Sequence, residues 1–199
     1  MIKNIVFDIG KVLAYFEPEK YVDSLEYDKD IREKILSAVF YNPLWAEFDR
    51  GAMSTEEFEE AFVANAPEYE EQIRETFRNM GGTTEIMPYT MEWIKDLKNR
   101  GYGLYIISNY AEYMFKKTKH KLQFLSYLDG AIFSYQHKVI KPNKVIYEVL
   151  LNKYKLKAEE CVFIDDRLEN VEGAKALGFK GIQFKNYEQA STQLNTLLE

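Results

Sequence analysis

Five side chains in this sequence are of the types that handle phosphate: Asp8, Ser108, Lys141, Asp165 and Asp166. A carboxylate can attack phosphorus and split one difficult displacement into two easier ones. Carboxylates near a phosphate dianion are repelled, so such a site must also supply positive charge. Lys141 offers a point charge and Ser108 a hydroxyl donor. Paired acids such as Asp165-Asp166 suit Mg²⁺, a hard cation that prefers oxygen ligands. Singly, none of these residues is distinctive. Asp8-Ile9-Gly10 is ordinary turn chemistry, and Asp165-Asp166 would serve equally well as a turn or a helix cap.

Their positions make the case. Ile5-Val6-Phe7 is a short apolar run ending at Asp8; Leu104–Ile107 ends at Ser108-Asn109; Ala131–Phe133 is followed by Lys141; Cys161–Ile164 ends at Asp165-Asp166. A last run covers Gly181–Phe184. Helical stretches separate these strands: the stripe Met91, Ile94 and Leu97, then Glu112–Leu122, then Val145, Ile146, Val149 and Leu150 behind Pro142. Asn170–Leu177 and Glu188–Leu198 complete the alternation. Alternating strands and helices predict an α/β fold, a doubly wound parallel sheet with right-handed crossovers. Such sheets bind ligands outside the carboxyl ends of their strands, which is where all these polar groups fall.

The pattern breaks between residues 15 and 86, which hold no strand-like segment. Helices are expected at Pro18–Leu25, Asp30–Phe40, Ser54–Ala64 and Glu68–Met80, with Ser54 and Glu57 forming a capping box. The domains implied are a core of residues 1–14 and 87–199 and a helical cap of 15–86, with Gly81-Gly82 as a hinge. Such a cap would act as a lid and choose the substrate. Tyr15, Phe16, Tyr41, Trp45, Phe48 and Arg50 are candidates there; most of the aromatics are expected to pack the cap's own core, and Arg50 to face the site.

Composition narrows the classes further. A net charge of −6 over 199 residues argues against nucleic-acid or anionic-membrane binding. No apolar run reaches the length of a membrane span, and Asp8 interrupts the only N-terminal one, so no secretory leader is expected. The single Cys161 excludes an internal disulfide and fits a reducing, cytoplasmic setting. Cys161 should be an inert buried thiol, and His120 and His137 surface or loop residues.

The segments FDIGKVL, IISN, IKP and FIDDRLENVEGAKALGF, in that order, resemble the haloacid dehalogenase superfamily, in particular its phosphatase branch with a helical cap inserted after the first motif. The resemblance covers the whole chain. It implies a Mg²⁺-dependent hydrolase of small phosphorylated metabolites such as sugar phosphates, monomeric or weakly oligomeric, working through an aspartyl-phosphate. Asp8 would be the nucleophile and a Mg²⁺ ligand, Gly10 would lend its carbonyl, Asp166 would bind the metal directly and Asp165 through water. Ser108, Asn109 and Lys141 would hold the phosphoryl group. One departure stands out: these phosphatases usually carry a second aspartate two positions after the nucleophile as general acid and base, and Gly10 is here instead. Its loss implies a preference for leaving groups that depart readily as anions. The rivals are a metal-free dehalogenase, against which Asp165-Asp166 argues; a receiver domain, whose acidic pair comes first in the chain; and a binding protein that no longer turns over.

Overall fold

The computed structural model describes residues 1–199. Its first strand, β1 (Asn4–Phe7), is an unbroken apolar run because both faces are covered: Ile5 and Phe7 join the larger of two cores and Val6 the smaller. A short strand β2 (Ala14–Phe16) leads into five helices, α1 (Pro18–Asp23), α2 (Lys29–Ile35), α3 (Leu44–Arg50), α4 (Thr55–Ala64) and α5 (Glu70–Asn79). The chain returns through β3 (Thr84–Ile86) and then alternates: α6 (Thr90–Asn99), β4 (Gly103–Ser108), α7 (Glu112–Thr118), β5 (Gly130–Phe133), α8 (Ser134–His137), α9 (Lys144–Tyr154), β6 (Cys161–Asp165), α10 (Leu168–Lys175), β7 (Lys180–Gln183) and α11 (Tyr187–Leu198).

Five strands form one parallel sheet in the order β5-β4-β1-β6-β7. Trp93, Ile94 and Leu97 of α6 and Ala190 and Leu194 of α11 cover the Phe7 face; Ile146, Tyr147 and Leu150 of α9 with Ala174 of α10 cover the Val6 face. This is the expected doubly wound α/β architecture. β1 lies at its centre, so the strand order reverses between β4 and β6, and a crevice opens there at the carboxyl ends.

The inserted segment differs from expectation in four ways. It is not wholly helical: β2 and β3 pair antiparallel, Ala14 with Ile86 and Phe16 with Thr84, and close its neck as a ribbon. The expected helix Asp30–Phe40 ends at Ile35 and continues as a π-helical turn, Leu36–Phe40, which buries four of its five residues. The helix α3 was not anticipated. Its seven residues follow Asn42-Pro43, with Asn42 Oδ1 accepting the Leu44 N–H at 2.9 Å. The glycines Gly81-Gly82 lie in a 3₁₀ turn, and Gly82 is glycine because of crowding: a Cβ there would stand 2.7 Å from the ring of the buried Tyr21.

Two expectations in the core region shift as well. Pro142 precedes the N-cap Asn143 of α9 and joins Lys141 through a cis bond, so it lies outside the helix. Val145 is exposed, and Tyr147 takes its place in the buried stripe. The capping box at Ser54 forms as expected, Glu57 N–H donating to Ser54 Oγ and Ser54 N–H to Glu57 Oε2. No helix is long and apolar enough to cross a membrane.

Because the Tyr21 ring also donates its hydroxyl to the carbonyl of Thr76, it cannot swing away from an intruding methyl. Gly82→Ala should cost about 1–3 kcal/mol in urea unfolding, as overpacking does. Gly81→Ala, whose Cβ would meet Lys117 Cβ at 3.2 Å, should cost less.

Candidate active site

Asp8 stands one residue past β1. Its N–H still donates to the Ile164 carbonyl at 2.9 Å, which extends the ladder with β6 and carries the carboxyl beyond the edge of the sheet. Three donors converge on its Oδ1: the N–H of Ile9 at 2.7 Å, Ser108 Oγ at 2.8 Å and Lys141 Nζ at 2.9 Å. Oδ2 has no protein partner. Lys141 Nζ also donates to Asp165 Oδ2 at 2.7 Å. Asp165 is otherwise filled by the N–H of Arg167 at 2.9 Å and by Asn170 Nδ2 at 3.0 and 3.1 Å. Three strand ends and the loop after α8 thus meet in one buried network.

The side chain of Asn109 is spent elsewhere than on a ligand. Its Oδ1 accepts the N–H of Lys141 at 2.8 Å and its Nδ2 donates to the Lys141 carbonyl at 3.2 Å, so it grips the lysine backbone from both sides. What Asn109 leaves free for an anion is its own backbone N–H, and Gly10 has a free N–H as well.

Burial pushes the Asp8 carboxyl up to about 6, with a further push from Asp165, while Lys141 and Ser108 restrain it. Burial disfavours the ammonium of Lys141, but the charges of Asp8 and Asp165 outweigh that and hold its pKa above the ordinary lysine value. Asp166 is raised too, by burial and then by Asp165. Cys161 is buried, its thiol driven up to about 11 by desolvation, and it is no nucleophile.

The donor set fits a hard divalent cation. Asp8, Asp165 and Asp166 each offer a carboxylate oxygen, all within 4.8 Å of one another. The Asp166 carboxylate has no hydrogen-bond donor, the Gly10 carbonyl accepts nothing from the protein, and the buried Asn170 Oδ1 has no partner, as suits a neighbour of metal-bound water. Asp165, already saturated, is the least available of the three acids.

A cleft of about 250 Å³ lies over this network. Tyr15, Phe16 and Trp45 form an apolar wall, so the neck ribbon and α3 both reach the site. The other cap aromatics do not: Tyr41 is exposed and donates its hydroxyl to Glu19, and Phe48 is buried in a cluster with Phe58, Phe62 and Phe77. Arg50 is absent from the cleft, contrary to expectation; its guanidinium pairs with Glu47 at 3.3 Å. The residue of α3 that enters is Asp49, half-buried beside the polar floor. Burial and then Asp8 push its carboxyl up to about 7. A helix turns about 100° per residue, so the wrong member of the Asp-Arg pair was favoured. Asn42-Pro43 before α3 and Gly51 after it are the sequence signals that could have fixed the register. His120 and His137 line no part of the cleft.

A profile of the haloacid dehalogenase-like hydrolases matches residues 2–178. The chain belongs to that family. Among curated relatives, it is 24% identical over 196 residues to a sesquiterpene phosphatase of Aspergillus oryzae, spanning 98% of this chain and 96% of the other. It is 26% identical over 211 residues to the D-ribitol-5-phosphate phosphatase of Bacteroides thetaiotaomicron, spanning 100% and 99%. Among solved structures, a magnesium complex of a haloacid dehalogenase family enzyme from Bacteroides thetaiotaomicron superposes with TM-score 0.76 at 22% identity, over 97% and 98% of the two chains. The L-2-haloacid dehalogenase of Xanthobacter autotrophicus shares the fold at TM-score 0.69 and 18% identity, over 97% and 82%. Overall shape therefore does not separate the phosphatase branch from the dehalogenases.

A carboxyl held above its unfolded pKa costs the native state stability as pH rises through the folded value. Asp49→Asn removes that cost. In the metal-free protein the variant should outlast wild type in urea at pH 8 by about 2 kcal/mol, allowing for partial exposure, and the gap should close as pH falls toward 4.

Proposed function

We propose that this hydrolase cleaves small phosphomonoesters with the help of Mg²⁺ and passes the phosphoryl group through Asp8. The observation that carries the reading is the convergence of a carboxylate, an ammonium and a hydroxyl on one point, beside three acids within 4.8 Å of one another. Two phosphatases that match this chain over nearly its whole length support the reaction class.

The phosphoryl group would lie between the Asp8 carboxylate and the free N–H groups of Gly10 and Asn109. Asp8 attacks phosphorus, and the bond to the leaving oxygen breaks. Ser108 and Lys141, which grip Asp8 in the resting site, are placed to donate to the phosphoryl oxygens as charge moves onto them. Asp8, the Gly10 carbonyl and Asp166 would hold the Mg²⁺, with Asp165 braced behind. The bound cation would offset the repulsion between the phosphate and the surrounding carboxylates. Asn109 fixes the position of Lys141 through its backbone. Water then releases phosphate from Asp8.

The helical segment acts as a cap, with Tyr15, Phe16 and Trp45 against the substrate's carbon skeleton. That wall favours a compact phosphorylated metabolite, such as a sugar or polyol phosphate. A purely binding role is disfavoured by the Asp8 Oδ2 left without any protein partner, which is the state a nucleophile requires.

Steady-state hydrolysis of an aryl phosphate checks the reading. Asp8→Asn and Asp166→Asn should each lower kcat by more than about 10³-fold. Asp166→Asn should unfold at the wild-type urea midpoint, and Asp8→Asn, which weakens the buried pair with Lys141, should still unfold in one cooperative transition. Excess chelator should abolish wild-type activity and Mg²⁺ should restore it. Full activity in chelator would overturn the metal-assisted reading and point to the dehalogenase type of chemistry.

A further inference from the structure

The steps above leave one carboxyl of the cleft unused. Asp8 is the nucleophile and Asp166 faces the cation site, but Asp49, which descends from the inserted helices on α3, has no role in them. It is held there by main-chain ties. Ser134 Oγ donates to the Asp49 carbonyl at 2.5 Å and accepts the Tyr110 N–H at 2.8 Å, which couples the end of α3 to the segment that follows Ser108 at the end of β4. Lys138 Nζ donates to the Gly51 carbonyl at 2.5 Å just beyond. Gly51, at φ 67°, packs so closely on Tyr135 and Lys138 that a Cβ would meet both within 3.2 Å. A backbone anchored at both 49 and 51 delivers its side chain to one place.

We propose that Asp49 is the general acid and base of this enzyme, supplied to the reacting atoms by the cap. The proposal rests on the phosphoryl-transfer reading of the Asp8 site. In the first step an Asp8 oxygen bonds to phosphorus, the bond to the ester oxygen breaks with its electron pair staying on that oxygen, and the Asp49 carboxyl gives its proton there, releasing an alcohol. In the second step the Asp49 carboxylate takes a proton from water as the water oxygen bonds to phosphorus. The phosphorus–Asp8 bond breaks, the carboxylate of Asp8 is restored, and phosphate leaves. Asp49 ends protonated, and the net change is ester plus water to alcohol plus phosphate.

The surroundings suit that role. Burial and Asp8 at the end of β1 favour the neutral acid, while the Ala111 N–H, Lys141 and Arg167 favour the anion; the balance places the group at about 7. A neutral carboxyl approaches a phosphate dianion without repulsion, and a group near the working pH can both give and take a proton. Gly10 also lines the cleft. A Cβ there would meet nothing within 4 Å, so a side chain at position 10 has room to reach the same oxygen. Supply of the acid by Asp49 reverses the preference for acidic leaving groups that Gly10 alone implied.

The test uses phosphate monoesters of graded leaving-group pKa, with wild type, Asp49→Asn and the double variant Gly10→Asp/Asp49→Asn. Wild type should show a shallow dependence of log kcat/KM on leaving-group pKa. Asp49→Asn should lose about 10²–10⁴-fold on alkyl phosphates, lose less on aryl phosphates, and accumulate phosphoenzyme with the latter. For alkyl substrates, wild-type kcat/KM should fall as pH rises through about 7, since the acid form is consumed, and the variant should lack that limb. The double variant should recover the shallow slope. An active wild type whose slope and pH limb survive Asp49→Asn overturns the role of Asp49 and leaves the phosphatase reading intact. An Asp49→Asn protein equally slow on every leaving group, with no recovery in the double variant, also overturns it by marking Asp49 as structural. A wild type that neither hydrolyses esters nor takes a phosphoryl group on Asp8 removes both readings together.

Discussion

Lys141 holds this structure's chemistry in place. Its side chain is 1% exposed, and its ammonium sits 2.9 Å from Asp8 and 2.7 Å from Asp165. An ammonium taken so far from water survives only with excellent partners, and removing one partner of a buried pair typically costs about 3–5 kcal/mol. The pair of contacts ties the ends of β1 and β6 to a loop that belongs to neither. Asn109 adds β4 to the assembly by holding the lysine backbone on both sides. Four parts of the chain are thereby fixed by one positive charge.

The arrangement carries a standing electrostatic tension. Asp8 and Asp49 are both pushed up by burial, Asp8 further by the charge of Asp165 and Asp49 further by that of Asp8. A core built for stability alone would place apolar groups here. The acids are tolerated because Lys141 and the donors around Oδ1 offset part of the cost, and because a cation and a phosphate together would relieve much of the rest. Stability and reactivity draw on the same few side chains.

Much of this was legible in the chain, for reasons that can be named. The central strands β1, β4 and β6 are buried on both faces and therefore read as short apolar runs, and each of these three stops where a polar group faces the crevice. Hence Asp8, Ser108, Lys141 and the pair Asp165-Asp166 could be placed at one edge without coordinates. The neck ribbon could not be read: its strands have three residues each, and Ala14 pairs with Ile86 far along the chain. Asn109 was legible as a site residue but not as a support for Lys141, since nothing in its neighbours tells which partner its amide will choose. Asp49 was hidden by its setting. The helix that carries it has only seven residues, and the more conspicuous charge of Arg50 stands next to it.

The central place of β1 has a consequence for how the protein is made. β1 leaves the ribosome before the other strands of its sheet, yet its hydrogen-bonding partners are β4, whose register begins at Gly103, and β6, whose register begins at Cys161. At about 5–20 residues per second, the first partner follows by roughly 5–20 s and the second later still. During that interval the strand that leads to Asp8 is an unsheltered apolar segment with both edges open. The inserted helices are synthesised before either edge can be covered, although α3 gains its anchors on Ser134 and Lys138 only later. Biosynthesis therefore supplies the inserted helices before the partners of β1, and the buried network around Lys141 closes only once Asp165 has emerged.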